Sequence, residues 1–313
     1  MNQLYRALHM PPKRLLKKIA GQKEIYTIAV RPAPKAQGCD LMPAMGSEPF
    51  IPMPYTPGVW YADPLLYHYE GERWLFCEAY DMAAERGSIA AAKLEDSGKI
   101  TGMREVLKED FHLSFPTVFD WNNEIWMIPE TGTTGFLMVY HCLEFPDEWE
   151  LVKKFPVNRN LCDTIILEKS DYRITLLCSE IKQDNGLYTR YRRYDLCRNE
   201  DPMMEDPPEL SLEEDEPFNL QHREYSLENR NAGPLFLCNT RLVRPAQVST
   251  KVDYGVYLQF WARHGASEVP LCAAAPQNVT IEGINPQDLI GIHTYCRDDD
   301  FEIIDARYLR KPE

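Results

Sequence analysis

Beyond residue 24 the chain has little helical periodicity. Short β-branched and aromatic runs separated by Gly, Pro, Asn and Asp recur instead, the pattern of strands that bury one face and turn back on themselves. One hairpin spans 64–69 and 73–78 around Glu70-Gly71, a second 116–121 and 124–130 around Asn122-Asn123, and a third 163–168 and 172–180 around Ser170-Asp171. Weaker copies begin at Ala232-Gly233-Pro234 and Gly291-Ile292-His293. With Asp63, Pro116, Asp163, Gly233 and His293 as marks, the steps between copies are 53, 47, 70 and 60 residues, each long enough for four strands and their turns. The expected fold is all-β, a five-bladed β-propeller. A strand over 25–30 would complete the last blade and close the ring, leaving no bare sheet edge. A large β-sandwich is the competing architecture, but it would not require the repeated hairpin.

Charge changes this picture at two places. The 313 residues carry a formal charge of −14, yet residues 1–23 hold Arg6, Lys13, Arg14, Lys17, Lys18 and Lys23 with no acid, leaving 28 basic against 48 acidic side chains in the remainder. The expected organisation is a basic leader over 1–24, with a short helix after Pro11-Pro12, and a single propeller domain over 25–313. Leu15, Leu16 and Ile19 among the cations fit a helix lying on an anionic membrane surface, so residues 1–23 are candidates for peripheral membrane contact. They fit equally a helix packed beside the domain. Residues 200–216 combine nine acids with Pro202, Pro207 and Pro208, and an irregular acidic loop is expected as an insertion at about 198–222.

Composition excludes several classes. An acidic chain is poorly suited to nucleic acid, whose phosphates demand a surplus of Lys and Arg. No apolar stretch approaches the roughly 20 residues of a membrane-spanning helix, and the N-terminus lacks the apolar core of a secretory signal. A cytoplasmic protein, at most peripheral to the inner face of the membrane, is expected. The nine cysteines, no two closer than 16 positions, suit neither a disulfide framework nor a Cys-x-x-Cys zinc site. In runs such as Leu75-Phe76-Cys77 they read as small core hydrophobes. Motifs for phosphate-loop, dinucleotide, zincin and serine-hydrolase chemistry are absent. No cofactor is therefore required, and no ligand spacing specifies a divalent cation.

Propeller geometry turns the repeat into chemistry. The innermost strand of a blade starts, and the second strand ends, on the same face. That arrangement gathers Asp63 with Glu78, Pro116 with Glu130, Asp163 with Glu180, and Gly233 with Gln247 around one funnel mouth. Crowded carboxylates raise one another's pKa, so some can act as acids while others stay ionised, the division of labour that glycosyl transfer uses. Asp63, Asp163, Glu180 and Glu130 are the catalytic candidates. Trp60 and Tyr254 offer planar faces to a sugar ring, and His293 can donate to a sugar hydroxyl or phosphate. Arg244 can clamp a phosphate or carboxylate, or pair with the funnel acids. Glu78, His112 and Gln247 complete the binding set.

The ordered series Trp60-Tyr61-Ala62-Asp63-Pro64, His112-Leu113-Ser114-Phe115-Pro116, Met127-Ile128-Pro129-Glu130-Thr131, Cys162-Asp163-Thr164-Ile165, Arg244-Pro245-Ala246-Gln247 with Tyr254-Gly255, and Gly291-Ile292-His293-Thr294 resembles one family. It is similar to the N-terminal propeller domain of plant glucosamine inositolphosphorylceramide transferases and its stand-alone bacterial relatives, over roughly residues 55–305. The resemblance implies a fold like the five-bladed propellers of arabinanases, β-xylosidases, invertases and levansucrases, in which an Asp base or nucleophile in blade one is matched here by Asp63. Those propellers carry a second Asp in the next blade, where this chain has Ser114-Phe115-Pro116; Asp163 and Glu180 are the substitutes at hand. In the plant proteins the recognised transferase chemistry lies in a separate C-terminal domain, outside the region of resemblance. The expected function is a glycosyltransferase of surface polysaccharide or glycolipid assembly, using a sugar or activated sugar. The alternatives are a glycoside hydrolase or phosphorylase of the same fold, and a non-catalytic propeller that binds a glycan or protein.

Overall fold

The computed structural model describes residues 10–33, 48–199, 209–238, 240–265 and 267–311. Five antiparallel sheets follow one another around a ring. Blade one comprises Val59–Tyr69, Glu72–Asp81, Arg86–Leu94 and Ile100–Leu107, blade two Ser114–Trp121, Glu124–Glu130, Phe136–Glu144 and Glu148–Pro156, and blade three Leu161–Lys169, Arg173–Ile181, Thr189–Asn199 and Glu209–Glu214. Blade four is built on Arg230–Asn231 and Phe236–Cys238, then Arg241–Val248, Tyr257–His264 and Ser267–Ala274. The fifth blade starts with Leu289–Gly291 and Tyr295–Arg297, continues in Phe301–Arg310, and takes its outer strands from the other end of the chain, Lys23–Pro32 and Ile51–Pro52. Lys23–Pro32 pairs along its whole length with Phe301–Arg310, so the ring closes through the strand that the sequence assigns to it.

The propeller is held by apolar seams between neighbouring blades. Tyr67, Phe76 and Ile89 of blade one pack on Met127 and Tyr140 of blade two; Trp121, Trp126 and Ile128 pack on Ile174, Leu176 and Tyr194 of blade three. Blades four and five share Val243, Leu258 and Phe260 with Tyr295 and Ile304, and blades five and one share Ile28 and Ile303 with Leu75 and Cys77. Such faces follow from strands whose alternate residues are apolar on both sides.

One expectation needs correction, and one open alternative is narrowed. The acidic stretch is not a loop throughout: residues 200–208 lie outside the described residues, but Glu209–Glu214 is the outer strand of blade three and Glu216–Gln221 a short helix. Strand alternation wins there, because Leu210 and Leu212 turn into the seam with blade two while Glu214 and Asp215 are neutralised by Arg159 and Arg193. The leader helix, α1 (Pro12–Ile19), turns Arg14, Lys17 and Lys18 toward the domain. Arg14 is buried against Glu24 and Asp253, Lys17 reaches Asp288 at 2.6 Å, and Lys18 reaches Glu24 at 3.0 Å, while Leu16 and Ile19 face outward. These pairs fit the alternative of a helix packed beside the domain, while Lys13 stays exposed. Among the described residues no helix is long and apolar enough to cross a membrane.

Candidate functional site

In three consecutive blades the innermost strand carries the same irregularity. Pairing jumps from Ala62 to Leu65, from Ser114 to Thr117 and from Cys162 to Ile165, and the first bulged residue is left-handed in each: Asp63 at φ 52°, Phe115 at 43° and Asp163 at 48°. A bulge re-aims its side chain, and positive φ in a residue other than Gly is strain that marks a built site. The structural equivalent of Asp63 in blade two is therefore Phe115, one position before the expected Pro116. Opposite these bulges stand Glu78, Glu130 and Ser179, paired with Ala62, Ser114 and Cys162.

That register removes Glu180 from the site. A shift of one residue turns a strand side chain to the other face, and Glu180 points away from the mouth into a cluster of cations. Arg190 binds it bidentately at 2.9 and 2.8 Å, Arg192 donates at 2.6 Å and the Tyr225 hydroxyl at 2.8 Å. Burial alone would raise its pKa, but these donors hold it at about 2, so it has no proton to give near neutrality. Because the folded value lies below the unfolded one of about 4.3, the stabilisation is present above that value and is lost as pH falls through about 2. Glu180→Gln is expected to cost about 3 kcal/mol at pH 7, with the difference in melting temperature from wild type shrinking as pH falls below 5.

Arg244 and Gln247 also leave the mouth. The Arg244 guanidinium is buried, bound to Glu268 at 2.8 and 2.6 Å and to the Tyr191 hydroxyl at 2.9 Å. Gln247 donates to the Asn231 carbonyl at 2.8 Å. Asn231 in turn donates to the carbonyls of Asp163 and Leu177, so both residues support the site rather than line it.

The remaining candidates converge with several residues that the repeat did not single out. Asp305 is the anchor. It accepts backbone N–H groups from Asp63, His293 and Thr294 at 3.0, 3.1 and 2.9 Å, and the His293 imidazole lies 2.5 Å away. Burial opposes its charge, yet the imidazole and the amides keep it ionised, and the same pairing raises His293 against its own burial. Asp63 accepts the Thr294 hydroxyl at 2.8 Å, with His293 Nε2 at 3.8 Å. Burial and the charges of Asp305 and Asp163 outweigh these partners and raise Asp63 to about 6. Across the mouth, Arg230 Nε donates to Asp163 at 2.5 Å and its Nη2 lies 4.0 Å from Glu130. Burial and the Asp163 charge nonetheless push Glu130 up to about 8.

Glu78 is raised as well: burial, then Asp63, Glu130 and Asp305, lift it well above the usual carboxylate value. His112 lies beside it. Its Nδ1 accepts the Gly87 N–H at 3.0 Å, which assigns the ring proton to Nε2, 3.5 Å from Glu78. Gly87 is required there, since an added Cβ would stand 2.5 Å from the Leu113 carbonyl and 2.7 Å from Glu78. A half-buried aromatic rim completes the mouth. Tyr80 stacks on Trp60 at 4.3 Å, Trp60 meets Tyr26 at 4.9 Å, and Tyr26 stacks on His293 at 4.8 Å while its hydroxyl bonds that of Tyr254 at 2.8 Å. Arg230 and Arg307 both face the Tyr254 ring.

Two trios at the mouth, Asp63–His293–Asp305 and Glu130–Cys162–Asp163, are close enough to share one ion. Their donors are already occupied, by backbone amides and Thr294 in the first and by Arg230 in the second. Hydrogen bonding within the protein accounts for both groupings. Of the residues missed by sequence reasoning, Asp305 left a signal, a lone acid inside Ile303-Ile304-Asp305-Ala306. Arg230 and Tyr26 left none, because neither lies at a repeated position.

With the geometry in view, the comparisons with known proteins can be stated. Residues 53–263 match the family model described as glucosamine inositolphosphorylceramide transferase 1, N-terminal. Glucosamine inositolphosphorylceramide transferase 1 of Arabidopsis thaliana is 38% identical over 112 residues, 36% of this chain and 14% of that protein. Its namesake from Oryza sativa subsp. indica is 29% identical over 198 residues, 61% of this chain and 24% of that protein. The chain thus spans less than a quarter of the length of these curated relatives. Among solved structures, the α-L-arabinofuranosidase PaAbf62A of Podospora anserina superposes with a TM-score of 0.49 at 10% identity, over 80% of this chain and 92% of that one. The β-1,2-mannobiose phosphorylase of Listeria innocua gives 0.47 at 8% identity, over 82% and 92%.

Proposed function

The chain belongs to the family of glucosamine inositolphosphorylceramide transferase 1 N-terminal domains, and from that premise we propose that it is a carbohydrate-active enzyme that transfers a glycosyl group at the funnel mouth. One observation carries the reading: two carboxyl groups in the same mouth, Asp63 and Glu130, are driven to about 6 and about 8. Between those values one is ionised and the other protonated, which is how an acid and a base are set apart within a single site.

In this reading Glu130 gives its proton to the departing oxygen as the donor's C–O bond breaks wherever that oxygen would otherwise leave as an alkoxide, whereas a nucleotide departs as an anion and Glu130 keeps its proton. Asp63 takes the proton of the acceptor hydroxyl as the new C–O bond forms and releases it to solvent afterwards, and where Glu130 has given up its proton solvent restores it. Asp163, fixed by Arg230, keeps Glu130 protonated through its charge. Trp60 and Tyr80 give the sugar ring a flat wall, and His112 with Glu78 meets its hydroxyls. Asp305 is a positioning residue, because it holds the Asp63 amide and the His293 ring.

Surface polysaccharide or glycolipid assembly from an activated sugar is the proposed setting. The test incubates the protein with labelled nucleotide sugars and a membrane-lipid extract or oligosaccharide acceptor, in parallel with aryl glycosides and with oligosaccharide plus phosphate. Labelled acceptor product supports transfer; release of aryl alcohol or sugar phosphate would reassign the site to hydrolysis or phosphorolysis. Sugar binding with no turnover in any arm would leave a glycan-binding propeller.

A further inference from the structure

We infer that the seam between blades three and four is a second binding site, for an anionic sugar. Each of the other four seams is filled by a shared apolar cluster. Among the described residues, the cluster nearest this one joins Ile165, Leu177 and Tyr191 of blade three to Leu65 and Phe115 and has no member from blade four. The face that blade four turns toward blade three explains why. Arg244 stands directly opposite Trp261, and Arg263 directly opposite Glu268, so polar groups occupy the positions that elsewhere carry Val, Leu and Phe.

The result is a cavity of about 310 Å³, within the size range of small-molecule pockets. Its blade-three wall is Tyr191 and Arg193. Its outer wall comes from Glu216–Gln221, the helix α2, through Phe218 and the adjoining His222, whose rings stack at 3.9 Å. Phe218 is already covered by His222 and by the Arg193 guanidinium, 4.5 Å from its centroid, so the flat surface this wall offers to a sugar is that of the His222 ring.

The lining also carries the exposed carboxylate of Glu228, and charge pairing in the cavity is incomplete. Arg244 is taken by Glu268 and Arg193 by Asp215. Arg263 has no carboxylate partner among the described residues. Its one hydrogen bond there is long, 3.4 Å to the Gly265 carbonyl, and its Nη1 has no acceptor. Trp261, two positions away on the same strand face, also has an indole N–H with no acceptor among the described residues. Leaving two enclosed donors, one of them charged, without partners costs stability, and an acceptor-rich anion would satisfy both. Phosphate and carboxylate share this chemistry, and a guanidinium receives either in the same fork.

The site is separate from the funnel, so its test does not depend on turnover. Isothermal titration calorimetry of the full chain with glucose 1-phosphate, glucuronate and glucose distinguishes the two anions from the neutral sugar. Wild type and Asp63→Asn are expected to bind at least one anionic sugar alike, and glucose at least tenfold more weakly. Arg263→Leu should weaken the anion tenfold or more, and Trp261→Phe, which keeps the ring and removes the N–H, threefold or more. Without ligand, Arg263→Leu should melt at or above the wild-type temperature, since it removes an unpaired charge. Three results would overturn the site: neither anion binds, binding persists unchanged in both seam variants, or binding disappears in Asp63→Asn. A lower melting temperature for Arg263→Leu would assign that arginine to the fold instead. Absence of turnover at the funnel would leave the binding result intact.

Discussion

Asp63→Asn is expected to lower turnover about a thousandfold and to leave the fold in place. Asn is nearly isosteric with Asp and tolerates the left-handed backbone at this position, φ 52°, better than most residues do. Its side-chain oxygen can still accept the Thr294 hydroxyl, and its backbone N–H still donates to Asp305. What disappears is the base and one negative charge. Since Asp63 contributes to the raised pKa of Glu130 and of Glu78, any residual activity should lose protonated acid at a lower pH than wild type, as coupled groups require. Initial rates across pH, with circular dichroism to verify folding, read both effects. Wild-type-like turnover in this variant would remove the role assigned to Asp63.

The second large effect belongs to Glu130→Gln. A general acid matters in proportion to how poor the leaving group is, so this variant should lose about a hundredfold or more with an alkoxide leaving group, and far less with a p-nitrophenolate or a nucleotide, which depart without a proton. Wild-type activity should follow a bell. Below about 6 Asp63 takes up a proton and ceases to be a base; above about 8 Glu130 gives up its own and ceases to be an acid. Glu130→Gln should retain the acidic limb and lose the alkaline one. An alkaline limb that survives the substitution would mean that another group, Glu78 foremost, supplies the proton.

Much of the architecture was legible from local patterns because strand alternation and turn chemistry act over a few residues. The hairpins after Asp63, Pro116 and Asp163 reported three blades, and the β-branched run at 25–30 reported the closing strand. Where charge and alternation competed, at Glu209–Glu214, composition misled, because the cations that pair with Glu214 and the adjoining Asp215, Arg159 and Arg193, come from elsewhere in the chain.

The site divides in the same way. Asp63, Asp163, Glu130, Glu78 and His293 could be placed on one mouth because they sit at repeated positions next to turns. Glu180 was misassigned by a single residue, which is enough to turn a carboxylate from a shared funnel into a cage of arginines and move its pKa from a useful value to about 2. Arg244 was expected to serve a ligand or the funnel acids and instead binds Glu268 in the seam.

The sequence by itself determined the all-β repeat, the number of blades and the group of acids that crowd one face, since each of these is written in periodicity or in spacing along the chain. Only the tertiary structure decided which acid keeps its proton, which cation pairs with which carboxylate, and which seam between blades is polar. Those outcomes depend on burial and on partners distant in the chain, as in Asp63 with Asp305 or Asp163 with Arg230, and an electrostatic field is a property of the assembled ring rather than of any segment in it.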